Sequence, residues 1–182
     1  MKRPVDQGEP ALAPLRTALG AELTIQKRRR TRVMELRDAD HLYGTLERRS
    51  VFGTLAGVAV EGGRFTFKRV GFLRSRATIR REGAEDGYAV LEPRWTGEGR
   101  LIMTDGRELH WEREGFWRPT WRIDDAQGVT LFWIRSAGFT GNRGMVTLAP
   151  GAARMRDGTL LILFAWYLVQ LMSEEAAAAA AS

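Results

Sequence analysis

From Leu160 to Met172 every residue except Gln170 is apolar or aromatic. The run shows no two-residue alternation, and its length suits a helix better than a strand. Such a helix spans roughly 20 Å, against the ~30 Å hydrocarbon thickness of a bilayer. A short helix that is apolar on every face belongs inside protein. Burying its large side chains at about 1.5–3 kcal/mol each contributes roughly 15–30 kcal/mol gross, before chain entropy is subtracted. Asp157 stands where it could cap the first turn, and Glu174 with Glu175 closes the run. The remaining chain must therefore wrap this segment on all sides.

What precedes it reads as short strands. Leu23–Ile25, Val33–Leu36, Leu42–Leu46, Val51–Val60, Arg64–Arg69 and Ala77–Ile79 are apolar clusters separated by turn residues. Gly87–Leu91, Arg100–Thr104, Glu108–Glu112, Thr120–Ile123, Val129–Ile134 and Gly144–Leu148 continue the series. Turn signals every eight to twelve residues or so mark an all-β sandwich or barrel. Asp105-Gly106 is a strong hairpin signal, and Asp124–Gly128 reads as a second hairpin turn. A sandwich would need a helix polar on one face, so the expected fold is a closed antiparallel barrel with the helix in its bore. The expected organisation is a flexible N-terminal segment over residues 1–20, a barrel domain over 21–175 with its helix at about 158–175, and an Ala-rich tail over 176–182.

With these elements in place, the chain resembles the tubby C-terminal-like fold shared by tubby proteins, phospholipid scramblases and LURP-one-related proteins. The likeness rests on the ladder of strands before a hydrophobic helix, the Trp-rich passage from Leu109 through Trp117 to Gly128, and the strand Leu131–Ile134. It implies a twelve-stranded barrel around a central helix and suggests membrane phospholipid as the class of partner.

Composition narrows the chemistry. The absence of cysteine excludes disulfides, thiolate metal sites and thiol catalysis. No Ser/His/Asp set or paired-carboxylate signature stands out, so a non-enzymatic role without cofactor is expected. Met1–Pro10 carries charge but no apolar core of signal-peptide length, which points to the cytoplasm, with peripheral membrane association as the lipid reading requires. Residues 1–81 hold 18 Lys and Arg against 8 Asp and Glu, whereas residues 82–182 hold 10 against 14. Of the basic residues 25 are Arg, the side chain whose planar fork grips phosphate bidentately.

The densest basic run contains Lys27, Arg28, Arg29, Arg30 and Arg32, and a second stretch contains Lys68, Arg69, Arg74, Arg76, Arg80 and Arg81. Lys27, Arg28, Arg29, Arg30, Arg32, Lys68 and Arg69 are the candidate anion-binding residues. Anionic membrane phospholipid is the expected partner, with nucleic acid or a protein as alternatives; the plainest reading of the run is a solvated loop. Glu108, His110, Glu112 and Glu114 alternate onto one strand face, more simply a solvent side than a metal site. Trp95, Trp111, Trp117, Trp121 and Trp133 are expected mostly to fill the barrel. Both faces of Val129–Ile134 are apolar, which calls for a cover on the outer one. Gly138–Gly144 lacks the Lys-Ser/Thr ending of a phosphate loop. A ligand-filled bore is disfavoured because a central helix leaves little room.

Overall fold

The computed structural model describes residues 11–18, 20, 22–49, 53–70, 76–84, 86–94, 98–115, 119–137 and 142–181. Arg74, Trp95, Trp117 and residues 138–141 lie outside them. The strands are β1 (Glu22–Lys27), β2 (Val33–Arg37), β3 (Leu42–Arg48), β4 (Ala56–Val60), β5 (Gly63–Val70) and β6 (Arg76–Arg81). They continue with β7 (Gly87–Pro93), β8 (Gly99–Met103), β9 (Glu108–Glu114), β10 (Thr120–Asp125), β11 (Thr130–Ser136) and β12 (Arg143–Leu148). Each pairs antiparallel with its neighbours in sequence, and β1 closes the ring against β12, with Leu23 opposite Val146 and Ile25 opposite Gly144. The helix α1 (Gly158–Ala180) follows.

Strand alternation builds the core. Ala77 and Ile79, Leu109 and Trp111, Trp121 and Ile123, and Phe132 and Ile134 are buried while their neighbours face outward. The hairpin signals close as their residues require: Gly106 and Gly128 take φ of 86° and 78°, a region that favours glycine.

The bore is occupied by α1, whose residues 158–169 are all buried. Phe164 packs edge-on against Phe67 of β5 at 5.1 Å. On other sides Leu163 meets Gly44 of β3 and Trp166 meets Gly144 of β12, both inward positions where a Cβ would come within 3.0 Å of the helix side chain. Between α1 and β7–β10 the remaining gap is about 20 Å³, too small for a ligand. At 23 residues α1 is long and apolar enough to cross a bilayer by length and composition, but 61% of its most apolar window is enclosed by the barrel. It is the core of the domain.

Three details differ from the sequence reading. Residues 176–180, expected as a separate tail, continue α1, because alanine is the strongest helix former. Of the segment expected as a flexible lead-in, the described residues 11–18 are packed: the Ala13 amide donates to the Leu42 carbonyl at 2.8 Å, and Leu15, in a short 3₁₀ turn over Leu15–Thr17, is buried. These residues cover the outer side of β3 near Tyr43; on the outer face of β11, Leu131 and Trp133 are half-buried and Val129 is exposed. Asp157 occupies the N-cap position of α1 without a side-chain capping bond. Its carboxylate is taken by the Tyr88 hydroxyl at 2.5 Å and by the Arg107 guanidinium, a charged partner stronger than a backbone amide.

Candidate anion-binding site

Successive strands run in opposite directions, so alternate connections lie at opposite ends of the barrel. The β1–β2, β3–β4 and β5–β6 connections share the end from which α1 emerges. Lys27, Arg28, Arg29, Arg30 and Arg32 occupy the first of these, and Lys68 and Arg69 stand near the end of β5. Lys27–Arg32 and Lys68–Arg69 therefore share one rim, whereas Arg80 and Arg81, at the far end of β6, lie at the opposite one. Four inter-strand steps of ~4.8 Å separate β1 from β5, roughly 19 Å along the wall. That exceeds the ~10 Å screening length at moderate salt, so the two groups alone would act separately. Arg48 and Arg49 stand between them at the end of β3, each already paired with a carboxylate, Arg48 with Glu174 and Arg49 with Glu82. Arg143, opposite Gln26, extends the arc on the other side of β1.

The β1–β2 hairpin holds its charges in a defined turn. The Arg28 amide donates to the Val33 carbonyl at 2.8 Å, and the Thr31 amide donates to the Arg28 carbonyl at 3.2 Å. The Thr31 hydroxyl donates to the same carbonyl and accepts from the Val33 amide. Arg30 takes φ of 61°, an uncommon conformation for a side chain of its size, and is exposed at the tip. Arg28 pairs with the buried Glu35 at 2.8 Å. Lys27, Arg29, Arg30, Arg32 and Lys68 are exposed and form no ion pair among the described residues.

Strand parity sends Arg48 and Arg69 to the inner lip of the same mouth, two positions beyond the buried Leu46 and Phe67. There Arg48 binds Glu174 at 3.0 Å and Arg69 binds Glu175, clamping α1 as it leaves the barrel. The buried Tyr167 hydroxyl donates to the Thr54 carbonyl at 2.6 Å, and the Thr54 hydroxyl donates to the Arg69 carbonyl at 3.0 Å. Burial pushes the Tyr167 hydroxyl pKa up, so it stays protonated and keeps donating. Arg48 and Arg49 were not among the residues expected to bind. The signal that could have found Arg48 is its even spacing from Leu46.

Below the rim the outer wall of β3 and β4 forms a groove of about 510 Å³. Its floor is made of small groups, Thr45, Gly57 and Ala59, with Arg28 and Arg49 on its flanks. A Cβ on Gly57 would lie 2.9 Å from the Arg49 Nε, so glycine lets that guanidinium lie flat on the wall. Glu47, Glu61 and Glu82 line the same groove, and Arg28 and Arg49 are paired with Glu35 and Glu82, so the recess is of mixed charge. The exposed cations of the rim, Lys27, Arg29, Arg30, Arg32 and Lys68, are the groups suited to phosphate or carboxylate presented by a surface.

The other expected features fall elsewhere. Glu108, His110, Glu112 and Glu114 do share the outer face of β9, where Arg100 pairs with Glu108 at 3.6 Å and Arg122 pairs with Glu112, Glu114 and Asp124. Three carboxylates around one guanidinium make an ion-pair ladder. Among the described residues no group of three His, Cys, Asp or Glu could hold a metal ion. Trp111 and Trp121 stack in the core at 4.8 Å, while Trp133 lies half-buried on the outside of β11.

Fold and site together define a twelve-stranded barrel around a central helix, with an arginine-rich arc where the helix emerges. Comparison with protein-family models, with curated proteins and with solved structures finds no match for this chain.

Proposed function

We propose that this barrel is a non-catalytic, cytoplasmic binding module of the tubby-like kind that docks its basic arc on anionic phospholipid head groups at a membrane surface. The observation that carries the reading is the placement of Lys27–Arg32 and Lys68–Arg69 on one rim with Arg143 beside β1, where Lys27, Arg29, Arg30, Arg32 and Lys68 are exposed and form no ion pair among the described residues. The resemblance to a fold with lipid-binding members supports it. Nucleic acid is the weaker candidate, because base stacking needs exposed aromatic platforms. Among the described tryptophans Trp111, Trp121 and Trp166 are buried and Trp133 is half-buried.

Liposome co-sedimentation across a salt series tests the reading, with neutral and anionic vesicles beside DNA and RNA shift assays. Anionic vesicles should retain the protein at low salt and neutral ones should not. Changing Arg28, Arg29 and Arg30 together to serine should weaken binding roughly a hundredfold, since each basic residue at such a surface contributes about 1 kcal/mol. A protein that ignores charged vesicles at low salt but shifts nucleic acid would refute the lipid reading.

A further inference from the structure

The opposite end of the barrel, where α1 enters, holds a second and larger recess of about 550 Å³. This volume falls in the range of small-molecule sites. Its floor is apolar: Leu15, Val60, Phe65, Met103, Met155 and Leu160. Leu15 arrives from the N-terminal segment and Met155 from the turn before α1, so the recess is built from distant pieces of chain.

The polar groups around it divide unequally. Each carboxylate is already engaged. Asp157 accepts from Tyr88 and Arg107, Asp105 is paired with Arg107 at 2.7 Å, and Glu61 faces Arg16 at 3.8 Å. The Tyr88 hydroxyl is pushed up to about 12 by burial and by Asp157, so it too is committed as a donor. The cations are less engaged. Arg154 and Arg156 are exposed and have no ion pair among the described residues. Arg81 lies 5.1 Å from the Phe65 ring centre and, among the described residues, donates only to the Gly62 carbonyl, at 3.4 Å. The uncommitted charge at the mouth is positive and the floor is greasy.

We infer that this recess is a binding site for a small anionic amphiphile, with an apolar body on the Phe65–Met103–Met155 floor and an acidic head held by Arg154, Arg156 and Arg81. Carboxylate and phosphate heads share the chemistry that guanidinium groups recognise. The site is at the far end of the barrel from the membrane-docking arc and does not depend on it.

Methyl-labelled methionine gives a local readout, because Met103 and Met155 line the recess while Met34 and Met145 do not. The full chain is titrated with decanoate, decyl phosphate, decanol and decyltrimethylammonium, all below micelle formation. Decanoate or decyl phosphate should shift the Met103 and Met155 signals saturably and leave Met34 and Met145 in place. Which of the two binds tighter identifies the head group. Decanol should bind at least about tenfold more weakly, the loss expected for one charge-assisted hydrogen bond, and the cationic probe should not saturate. Arg154→Ser with Arg156→Ser should weaken decanoate by a similar factor. Gly62→Trp, at a position where a Cβ meets nothing within 4 Å, should block the recess with all charges kept. The Arg28, Arg29 and Arg30 triple serine variant should bind decanoate as the parent does, which separates this site from the rim. Equal binding of cationic and anionic probes would overturn the assignment. So would unshifted Met103 and Met155 signals, or undiminished affinity in the double serine variant.

Discussion

Gly144→Ala tests whether α1 runs through the bore with Trp166 against β12. A Cβ at Gly144 would lie 2.6 Å from Cζ3 of the Trp166 ring and 2.9 Å from Cε3, closer than any ordinary carbon contact. The ring is fully buried, so it has no solvent to swing into. The backbone there is ordinary strand, so the cost is steric alone. Overpacking a well-filled core costs about 1–3 kcal/mol. Alanine also restricts the unfolded chain, which offsets about 0.4–1 kcal/mol of it. The net destabilisation is on the order of 1–2 kcal/mol, a Tm drop of roughly 2–8 °C for a domain of this size. Trp166→Phe removes part of the offending ring, so Gly144→Ala should cost at least about 1 kcal/mol less in that background. Urea unfolding followed by circular dichroism, with calorimetry, measures all four corners of the cycle. A Gly144→Ala protein as stable as the parent, or two changes that simply add, would refute the packing described and with it the central position of the helix.

Beyond the Arg28, Arg29 and Arg30 triple change, two further outcomes follow. Glu174→Gln with Glu175→Gln should release Arg48 and Arg69 and raise retention on anionic vesicles roughly tenfold or more in co-sedimentation, at about 1 kcal/mol each; because these pairs are exposed, the melting temperature should hardly move. Asp38 contributes to the acid limb: burial pushes its carboxyl up, but the Tyr43 hydroxyl, the His41 and Asp40 amides and the neighbouring His41 together bring it down to about 2. A carboxyl held below its ordinary 3.8 stabilises the fold above that pH and loses the contribution as pH falls from about 4 to about 2. Urea midpoints of the parent should therefore drop across that window, by on the order of 1–2 kcal/mol from this group, and Asp38→Asn should flatten the drop.

The elements were readable because each rests on local chemistry. The helix follows from a run apolar on every face, and the strands follow from alternation between turns such as Asp105-Gly106. What escaped is whatever depends on partners far apart in the chain. Asp157 has the residue type and place of a helix cap, yet Tyr88 and Arg107 reach it from 69 and 50 residues away and take its carboxylate. Counting hairpin connections would have put Lys27–Arg32 and Lys68–Arg69 at one end, since an even number of direction reversals separates them. That count needs every strand boundary, and Val51–Val60 reads as one long strand where the described β4 begins only at Ala56. A filled bore argues against a ligand inside the barrel, and the 20 Å³ gap beside α1 agrees. It says nothing of the mouth, where a helix that starts at the wall's edge cannot fill the corner between itself and the strands. The recess there is closed by Leu15, from a stretch rich in proline and glycine where Leu12, Leu15 and Leu19 have only partial helical spacing. A central helix thus fills the interior and leaves two terminal mouths, an entrance lined by Leu160 and Met155 and an exit clamped by Glu174 and Glu175. The charge of each follows from which arginines the carboxylates leave unengaged.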